Sequence, residues 1–394
     1  AAPGPPPPPP PPPVFLRPPR WSAAPTRHCI AAATRSRAAG AATAATAAPA
    51  RAPTPPAPRP SALTPPLPDT MEPMRAIHIS SHDGPGALEV VDLPEPEPGA
   101  VLIDVHASGV TFPEVLQSRG RYQISPPLPF VPGSEVAGVV RSAPEGSGFT
   151  AGDRVCAFPG LGGFAEVVST DPAQVFHLPD NLSFVQGASV PMNVLTVHFA
   201  LAHRGRLQAG ETVLVHGAGG GIGIAATQFA VAMGARVIAV ASTAEKRDLA
   251  LRAGASDAVA PEGFKDAAKE LTGGKGVDVV VDPVGGDRFT DSLRALGQEG
   301  RILVIGFTAG EIPTVKVNRL LLGNKSAVGV GWGEYWMTNP GYLQKQWAEV
   351  EPLLAAGRLD PLVGAEFPLV RAAEALELMD GRGAVGKIVL THGR

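Results

Sequence analysis

The sequence predicts an α/β protein in which a β-rich domain is interrupted by an inserted domain with a doubly wound parallel sheet. Three observations support this fold class. Residues 74–171 alternate short β-like runs with Gly and Pro turns, residues 211–333 alternate apolar strands with helices, and the strand-like run "KIVLT" follows both. Because this last run comes after the α/β block is complete, we expect it to rejoin the β-rich domain.

The first 70 residues differ in composition from the rest of the chain. This arm holds 22 of the 44 prolines, together with seven arginines and one acidic residue, Asp69. Its Arg, Ala and Ser content suits an organelle transit peptide, but its prolines leave room for only a short amphipathic helix. We favour an upstream extension with no folded role, expect residues 1–70 to be disordered, and expect Met71 or Met74 to open the folded part.

The remaining length suggests two domains, at ~100–200 residues each. We expect residues 71–196 and 333–394 to form the β-rich domain and residues 197–332 the α/β domain. The chain carries a net charge of −3 although its arm is basic, and it has no basic stripe, so we expect no nucleic-acid partner. No apolar run approaches the ~20 residues of a membrane-spanning helix. We therefore expect no membrane partner and a cytoplasmic location.

The elements follow in a regular order. The β-like runs are "MRAIHI", "LEVVDLPEPEPGAVLIDVHASGV", "SEVAGVVRSA", "GDRVCAF" and "GFAEVVSTD". A helical pattern follows in "FVQGASVPMNVLTVHFALAHRG". The strand-like and helical runs of the α/β block are then "ETVLVHG", "IGIAATQFAVAMG", "ARVIAVAS", "AEKRDLALRAG", "SDAVA", "FKDAAKELTG", "VDVVVDPV", "DRFTDSLRALG", "GRILVIGF" and "SAVGVGWG". Continuous apolar strands between helices indicate a sheet covered on both faces.

A glycine-rich turn follows the first strand of this block, in "VLVHGAGGGIGIAATQ". Ala218, Gly220 and Gly223 match the G/A-x-G-x-x-G fingerprint of dinucleotide-binding turns. The small first residue allows the tight turn, Gly220 lets the backbone approach a diphosphate, and Gly223 lets the helix pack closely on the strand. The helix N-terminus offers free N–H groups to the phosphates. This context favours a bound dinucleotide over a turn without a ligand.

The end of the second strand distinguishes between dinucleotides. An acidic residue about 20 positions after the fingerprint would bind the ribose of NAD. Here "ARVIAVAS" ends at Ser242 and Thr243, and Lys246 and Arg247 follow. Hydroxyls and cations favour a 2′-phosphate, although these two cations would serve equally as solvated first-turn residues of a helix. We predict NADPH as the cofactor; Glu245 weakens this preference without reversing it.

Further motifs carry a family resemblance from Met74 to the C-terminus. They are "GETVLVHGAGGGIGIAATQ", "PLPFVPGSEVAGVV", "GDRV", "VDVVVDPVGGD", "GRILVIGF" and "GKIVL". In these motifs the chain resembles the zinc-free quinone oxidoreductase (zeta-crystallin-like) branch of the medium-chain dehydrogenase/reductase superfamily, and departs from it at Val231. The resemblance implies a GroES-like β-rich catalytic domain with an inserted Rossmann domain, and an active site in the cleft between them. It also implies a homodimer paired through the sheet edge at "SAVGVGWG".

The same resemblance excludes a zinc alcohol dehydrogenase. Such enzymes place Gly-His-Glu where this chain has Gly133-Ser134-Glu135, and they also need ligand cysteines. The chain has two cysteines, Cys29 in the arm and Cys156, and its histidines show no spacing typical of a metal site. We predict no metal, and a buried strand position for Cys156.

The resemblance assigns roles to residues of the cleft. The implied cofactor-binding residues are Ala218, Gly220, Gly221, Ile222 and Gly223 at the diphosphate, Ser242 and Lys246 at the 2′-phosphate, Thr196 near the nicotinamide, and the Phe307 backbone at the carboxamide. Two departures from the branch are visible. Thr111-Phe112-Pro113-Glu114 replaces Asn-Phe-x-Asp, and Ala260 and Pro261 stand where the branch has a tyrosine.

Two residues are candidates for the chemistry itself. Tyr122 falls where related enoyl-thioester reductases carry a proton-donating tyrosine, and otherwise lines the cleft. Thr111 either bonds the nicotinamide ribose or caps a turn. Glu114 is expected to face solvent, with a proton relay as the alternative, and Glu135 is expected to satisfy buried backbone or an arginine.

The expected function is zinc-independent, NADPH-dependent reduction of a quinone or similar conjugated carbonyl, since hydride transfer needs little besides positioning and a donor to the oxyanion. One alternative is an enoyl-thioester or enone reductase, for which Arg119 and Arg121 would face a CoA ester. A lower-ranked alternative is a non-catalytic NADPH-binding scaffold or RNA-binding protein, which the intact glycine turn disfavours. The aromatic cluster Trp332, Tyr335 and Trp336 is expected to pack the domains together, with pocket lining as the alternative.

Overall fold

A computed structural model describes residues 73–124 and 126–393, and the predictions for the arm lie outside these residues. The strands are β1 (Pro73–Ile79), β2 (Leu88–Pro94), β3 (Val101–Val110), β4 (Glu135–Ser142), β5 (Arg154–Ala157), β6 (Val167–Thr170), β7 (Val175–His177), β8 (Thr212–His216), β9 (Arg236–Val240), β10 (Asp257–Val259), β11 (Val277–Asp282), β12 (Leu296–Val304), β13 (Ser326–Gly329), β14 (Val363–Pro368) and β15 (Lys387–Thr391). The α-helices are α1 (Phe112–Ser118), α2 (Phe184–Gly187), α3 (Pro191–His198), α4 (Gly221–Ala232), α5 (Ala244–Arg252), α6 (Phe264–Leu271), α7 (Phe289–Ala295), α8 (Asn318–Leu321), α9 (Trp332–Met337), α10 (Tyr342–Ala355) and α11 (Ala372–Asp380).

The β-rich domain is built on a mixed sheet with the order β14-β15-β3-β4-β5-β7, in which β6 also pairs with β3. Strands β1 and β2 form a separate antiparallel pair. The last strand, β15, runs antiparallel to β3, with Ile388 opposite Val110. This pairing confirms that the chain returns to the β-rich domain after completing the α/β block.

The inserted domain has a parallel sheet in the order β10-β9-β8-β11-β12-β13. This is the strand order of the doubly wound dinucleotide-binding fold, so the predicted fold class is confirmed. Val213, Leu214 and Val215 of β8 are fully buried, because helices cover both faces of a parallel sheet. The order reverses between β8 and β11, which places a ligand crevice at the carboxyl ends of these strands.

The predicted domain boundaries fall inside helices. Residues 196 and 197 both lie in α3, which continues as a π-helix over Phe199–Arg204. At the other boundary, α9 begins at Trp332. Since no loop marks either position, the boundaries stay a prediction.

The two domains meet at the glycine turn and at an aromatic cluster. A strap, defined here as residues 381–386 between α11 and β15, bonds the turn through Gly386 N–H to Gly219 O at 2.8 Å. At the cluster, Trp332 packs against Phe158, which follows β5, with ring centroids 5.0 Å apart. Cys156 is fully buried in β5, as predicted.

No helix in the described part of the chain is long and apolar enough to cross a membrane.

Candidate active site

The glycine turn connects β8 to α4 at the point where the strand order reverses. Gly217 has a φ of +60°, in the left-handed region that favours glycine, and its carbonyl accepts a hydrogen bond from Gly220 N–H at 3.0 Å. Gly220 is the N-cap of α4, and no side chain caps this helix. The N–H groups of the first turn are therefore available to an anion, and the helix dipole favours one there.

The glycines of the turn differ in how much space surrounds them. A Cβ at Gly223 would overlap the Gly217 carbonyl oxygen, and one at Gly221 would overlap Asn193 Nδ2. At Gly220 the nearest atom to an added Cβ is 3.6 Å away, so this position borders open space. Ala218, at the first fingerprint position, is fully buried. The turn thus has the packing of a diphosphate cradle: Gly223 serves helix–strand contact, and Gly220 leaves room for a ligand.

A buried ion pair lies beside this cradle. Lys387 Nζ donates to Glu135 Oε1 at 2.5 Å, and Glu135 Oε2 accepts from Met192 N–H at 2.7 Å. Burial raises the pKa of the Glu135 carboxyl, and the Lys387 charge opposes that shift. The Lys387 side chain and Asn193 both reach Gly221, where an added Cβ would meet Lys387 Cδ at 3.4 Å. The expectation that Glu135 is structural fits this geometry, with a lysine in place of the arginine.

At the end of β9, Ser242 is exposed and Lys246 leans over the glycine turn. An added Cβ on Gly219 would lie 2.5 Å from Lys246 Cβ. Lys246 Nζ donates to Arg382 O of the strap at 2.7 Å, and burial lowers the pKa of this lysine. Arg382 in turn donates to the carbonyls of Thr308 and Ala309 at 3.3 and 3.2 Å. Lys246 of the inserted domain is thus bonded to the backbone of the strap, whose Arg382 guanidinium bonds the loop after β12.

The other predicted cofactor residues lie on separate elements. Thr196 is buried in α3. Ile222 is partly exposed in the first turn of α4. Phe307 follows β12, and its ring lies over Gly285, where an added Cβ would be 2.9 Å from Phe307 Cδ1. Their contacts with a cofactor stay predictions.

A second cluster surrounds Glu114 at the start of α1. Glu114 is completely buried, so the expectation that it faces solvent is wrong. Its Oε2 accepts from Thr111 N–H at 2.7 Å and from the Thr111 hydroxyl, while its Oε1 accepts from Ser134 N–H at 3.0 Å and Ser134 Oγ at 2.7 Å. The capping box of α1 folds the carboxylate inward, because Glu114 must reach back to its own N-cap, Thr111.

In the Gly133-Ser134-Glu135 run, Ser134 stands at the position where zinc alcohol dehydrogenases have a histidine. Thr111 Oγ1 and Ser134 Oγ are 3.5 Å apart, and both hydroxyl protons point to the Glu114 carboxylate. This leaves the hydroxyl lone pairs as acceptors. Among the described residues no group of three or more His, Cys, Asp or Glu side chains could hold a metal ion. Neutral hydroxyls already bonded to a carboxylate do not match the donors that zinc prefers.

Tyr122 follows α1 and is half-buried. Burial raises the pKa of its hydroxyl, and the Glu114 charge raises it further. The phenol is therefore protonated at neutral pH and able to donate a hydrogen bond.

Sequence reasoning missed three polar residues that the fold brings to the glycine turn: Asn193, Arg382 and Lys387. Lys387 gave a usable signal in the sequence, since a charged residue opens the apolar run "KIVLT" of a predicted buried strand. Arg382 lies between two glycines and has a φ of +58°. No local sequence pattern predicts this conformation. Asn193 is hidden within the apolar pattern of α3.

The fold and this cleft define a medium-chain dehydrogenase/reductase. The chain matches two family models, the alcohol dehydrogenase GroES-like domain at residues 97–180 and the zinc-binding dehydrogenase domain at residues 221–355. It is 40% identical to rat quinone oxidoreductase-like protein 2 over 75% of this chain and 85% of the relative.

Solved structures agree. A probable oxidoreductase from Mycobacterium abscessus is 45% identical, with a TM-score of 0.75, over 82% of this chain and 99% of that one. The Escherichia coli quinone oxidoreductase complexed with NADPH is 30% identical, with a TM-score of 0.74, over 81% of this chain and 100% of that one. The chain belongs to the quinone oxidoreductase family of the medium-chain dehydrogenases/reductases and is an oxidoreductase.

Proposed function

We propose that this protein reduces quinones or similar conjugated carbonyls by hydride transfer from NADPH, without zinc. The observation that carries the proposal is the Thr111–Glu114–Ser134 cluster. In this cluster the Thr111 and Ser134 hydroxyls are bonded to a buried carboxylate, and Ser134 stands where zinc alcohol dehydrogenases have a histidine, which supports a reaction without zinc. Quinones are strong electrophiles whose reduction requires positioning rather than Lewis-acid activation. The relatives named for quinone reduction, and the E. coli relative complexed with NADPH, support the same assignment.

The residues of the glycine turn fit NADPH. The uncapped N-terminus of α4 and the open space at Gly220 would receive the diphosphate. Lys246 would hold the 2′-phosphate with Ser242, and its Nζ now donates to the Arg382 carbonyl. An acid at the strand tip would repel that phosphate, and β9 is followed by Ala241 and Ser242 instead. Thr196 and the Phe307 backbone would contact the nicotinamide end.

When bound, NADPH would supply the hydride, and one hydride with one proton reduces a quinone to its hydroquinone. Tyr122 is the proposed donor to the developing oxyanion, because its phenol is protonated at neutral pH. The alternative role for Tyr122 is to line the cleft. Thr111 would act as an acceptor for a cofactor hydroxyl, since its own proton goes to Glu114.

The test is NADPH oxidation by the full-length protein, followed by absorbance. NADPH and NADH are each paired with a small ortho-quinone and with a crotonyl thioester. Rapid oxidation of NADPH with the quinone alone supports the proposal, and Tyr122→Phe should then lower kcat more than it changes the KM for NADPH. Turnover of the thioester alone would make the protein an enoyl-thioester reductase. NADPH binding without turnover of either substrate would favour the scaffold alternative.

We also propose a homodimer formed through β13 and a cytoplasmic location. Strand β13 pairs on one side with β12 and is the last strand of its sheet. An unpaired edge strand accepts another strand readily. The segment before β13 also exposes large apolar side chains, with Leu321 75% and Leu322 81% exposed.

A further inference from the structure

A cavity of about 410 Å³ lies at the opposite end of the parallel sheet from the glycine turn. Glu211, which lines this cavity, directly precedes β8, whereas the glycine turn follows the last residue of β8. The five residues of this strand separate the two places by roughly 17 Å. A ligand in this cavity would therefore be distinct from the cofactor held at the turn.

One wall of the cavity is an ion pair that is complete in itself. Arg301 Nη1 and Nη2 donate to the two carboxylate oxygens of Glu211 at 2.8 and 2.7 Å. Arg301 Nε donates to the carbonyl of Gly205, and Nη2 also donates to the carbonyl of Arg206 at 3.3 Å. Glu211 is the one acidic residue among the described residues that line the cavity. Because Arg301 occupies both of its oxygens, Glu211 does not neutralise a further cation.

Two more arginines line the same cavity with unpaired groups. Arg204 Nε donates to Gly329 O of β13 at 2.9 Å, which holds this exposed side chain against the edge strand. In the described part of the chain, neither the terminal nitrogens of Arg204 nor the guanidinium of Arg206 has a hydrogen bond or an ion pair. The lining therefore carries two uncompensated positive charges. The pKa of the adjacent His203 is lowered by partial burial and then by nearby positive charges, among them Arg204 and Arg206.

The backbone around these arginines is itself unusual. Arg206 has a φ of +50°, in the left-handed region that few residues other than glycine adopt. Its carbonyl accepts from Gln208 Nε2 at 2.9 Å and from Arg301, which holds the turn in this conformation. The segment that ends at Arg204 is a π-helix. Strained turns and π-helical segments both occur often at functional sites.

We propose that this cavity binds a phosphate dianion, free or as the phosphoryl group of a phosphomonoester, between the guanidinium groups of Arg204 and Arg206. Guanidinium forks match phosphate oxygens, and two uncompensated charges match the charge of a phosphoryl group at neutral pH. The Ser326 hydroxyl lines the same cavity and would supply a further donor. No aromatic side chain of the described residues lines it, so the site would recognise the phosphoryl group rather than a stacked base. This site is independent of the proposed quinone reduction.

The test is calorimetric titration of the full-length protein, saturated with NADPH, with inorganic phosphate and with glycerol 3-phosphate at low ionic strength. The bound NADPH fills the proposed 2′-phosphate site, so that binding at the cavity is measured separately. We expect one phosphate per chain. Arg204→Gln and Arg206→Gln should each weaken binding about tenfold or more, the effect of losing a charged hydrogen bond. Arg206→Lys keeps the charge without the fork and should lose less.

Arg252→Gln is the matched control, because Arg252 is an exposed arginine of α5 that does not line the cavity. Its affinity for phosphate should equal that of the wild-type protein. Equal weakening in this variant and in the two cavity variants would show attraction by general surface charge and would overturn the site. Wild-type protein that binds neither phosphate nor glycerol 3-phosphate would also overturn it. Tighter binding of the ester would support a phosphomonoester as the ligand, and equal affinities would support phosphate alone.

Discussion

At the residue scale, Gly220 and Gly223 are both required, for different physical reasons. A methyl group at position 223 would overlap backbone of the same turn, whereas one at position 220 would make only an ordinary van der Waals contact, 3.6 Å from the Gly217 carbonyl oxygen. We expect Gly223→Ala to lower the free energy of unfolding by about 1–3 kcal/mol and to weaken NADPH binding. Gly220→Ala should weaken NADPH binding about tenfold and leave the unfolding free energy unchanged. Urea unfolding and calorimetric titration of both variants distinguish the two roles; equal losses of stability would contradict this assignment.

His216, the last residue of β8, couples stability to pH. It is fully buried and bonds Ser292 Oγ at 2.8 Å, and burial lowers its pKa to about 3. Because the unfolded chain binds this proton near pH 6.5 and the folded protein does not, stability is complete above pH 6.5 and falls as the pH drops towards 3.

Between pH 6.5 and pH 5 this residue alone should cost about 2 kcal/mol of unfolding free energy. In His216→Gln, the stability difference between pH 7 and pH 5 should shrink by that amount, as measured by urea unfolding at both pH values. Because the comparison is made within each variant, any loss that Gln causes at pH 7 cancels. An unchanged pH difference would show that His216 is not the titrating group.

Lys246 tests the preference for NADPH. Its Nζ lies near the tip of β9 against the strap, where a 2′-phosphate would exchange the neutral carbonyl of Arg382 for a charged partner. Lys246→Ala should raise the KM for NADPH about tenfold and leave the KM for NADH unchanged. Lys269→Ala, an exposed lysine of α6, is the control for a lost surface charge. A parallel rise in both KM values would mean that Lys246 supports the turn rather than the phosphate.

At the scale of elements, the Glu135–Lys387 pair joins the starts of β4 and β15 to the N-terminal end of α3. Both side chains are buried, and the Met192 N–H shares the carboxylate. Removing one member leaves the other charge buried and unpaired. Lys387→Met alone should cost about 3–5 kcal/mol of unfolding free energy.

The double variant Lys387→Met with Glu135→Gln should lose less unfolding free energy than the two single variants together, since neither charge is then buried without its partner. Urea unfolding of the four proteins measures this coupling. Strictly additive losses would mean that the two side chains do not depend on each other.

A second tie between elements involves Gln228, the last residue of the motif "GETVLVHGAGGGIGIAATQ". Gln228 of α4 donates to Asp360 O at 2.6 Å and accepts from Asp360 N–H at 3.2 Å. This reciprocal pair holds the segment after α10 against α4. The glutamine that follows the glycine turn in the sequence therefore acts in packing between domains, away from the phosphate cradle.

At the scale of the whole molecule, both domains contribute residues to the proposed cofactor site, because the strap of the β-rich domain contacts the inserted domain. Residues 381–386 belong to the β-rich domain, yet they bond the glycine turn, Lys246 and the loop after β12. Cofactor affinity should therefore respond to changes in either domain.

The proposed homodimer also belongs to this scale. Leu322→Glu places a charge on the exposed apolar segment before β13. We expect the wild-type protein to sediment at twice its mass of 40.4 kDa and this variant to shift towards the single-chain mass. Val370→Glu, an exposed apolar residue of the β-rich domain, is the control and should leave the assembly unchanged. A wild-type protein that sediments as one chain would contradict the dimer.

Much of the fold could be predicted because the signals are local. Alternating apolar strands and helices indicate a parallel sheet, and the fingerprint spacing of Ala218, Gly220 and Gly223 locates the phosphate turn. Glu114 could not be placed correctly, because a carboxylate at a helix start usually faces water. Here the capping box and Ser134, 20 residues away, turn it inward.

The sequence by itself determined the class of fold, the position of the glycine turn, the absence of an acid after β9 and the return of β15 to the first sheet. These follow from the periodicity of apolar residues and from local residue types, such as the glycines whose effect is on their own backbone. Only the tertiary structure brought Lys387 to Glu135, Arg382 to Lys246 and Trp336 to Phe158. Such contacts join positions more than a hundred residues apart, where short-range pattern carries no information about which side chains meet.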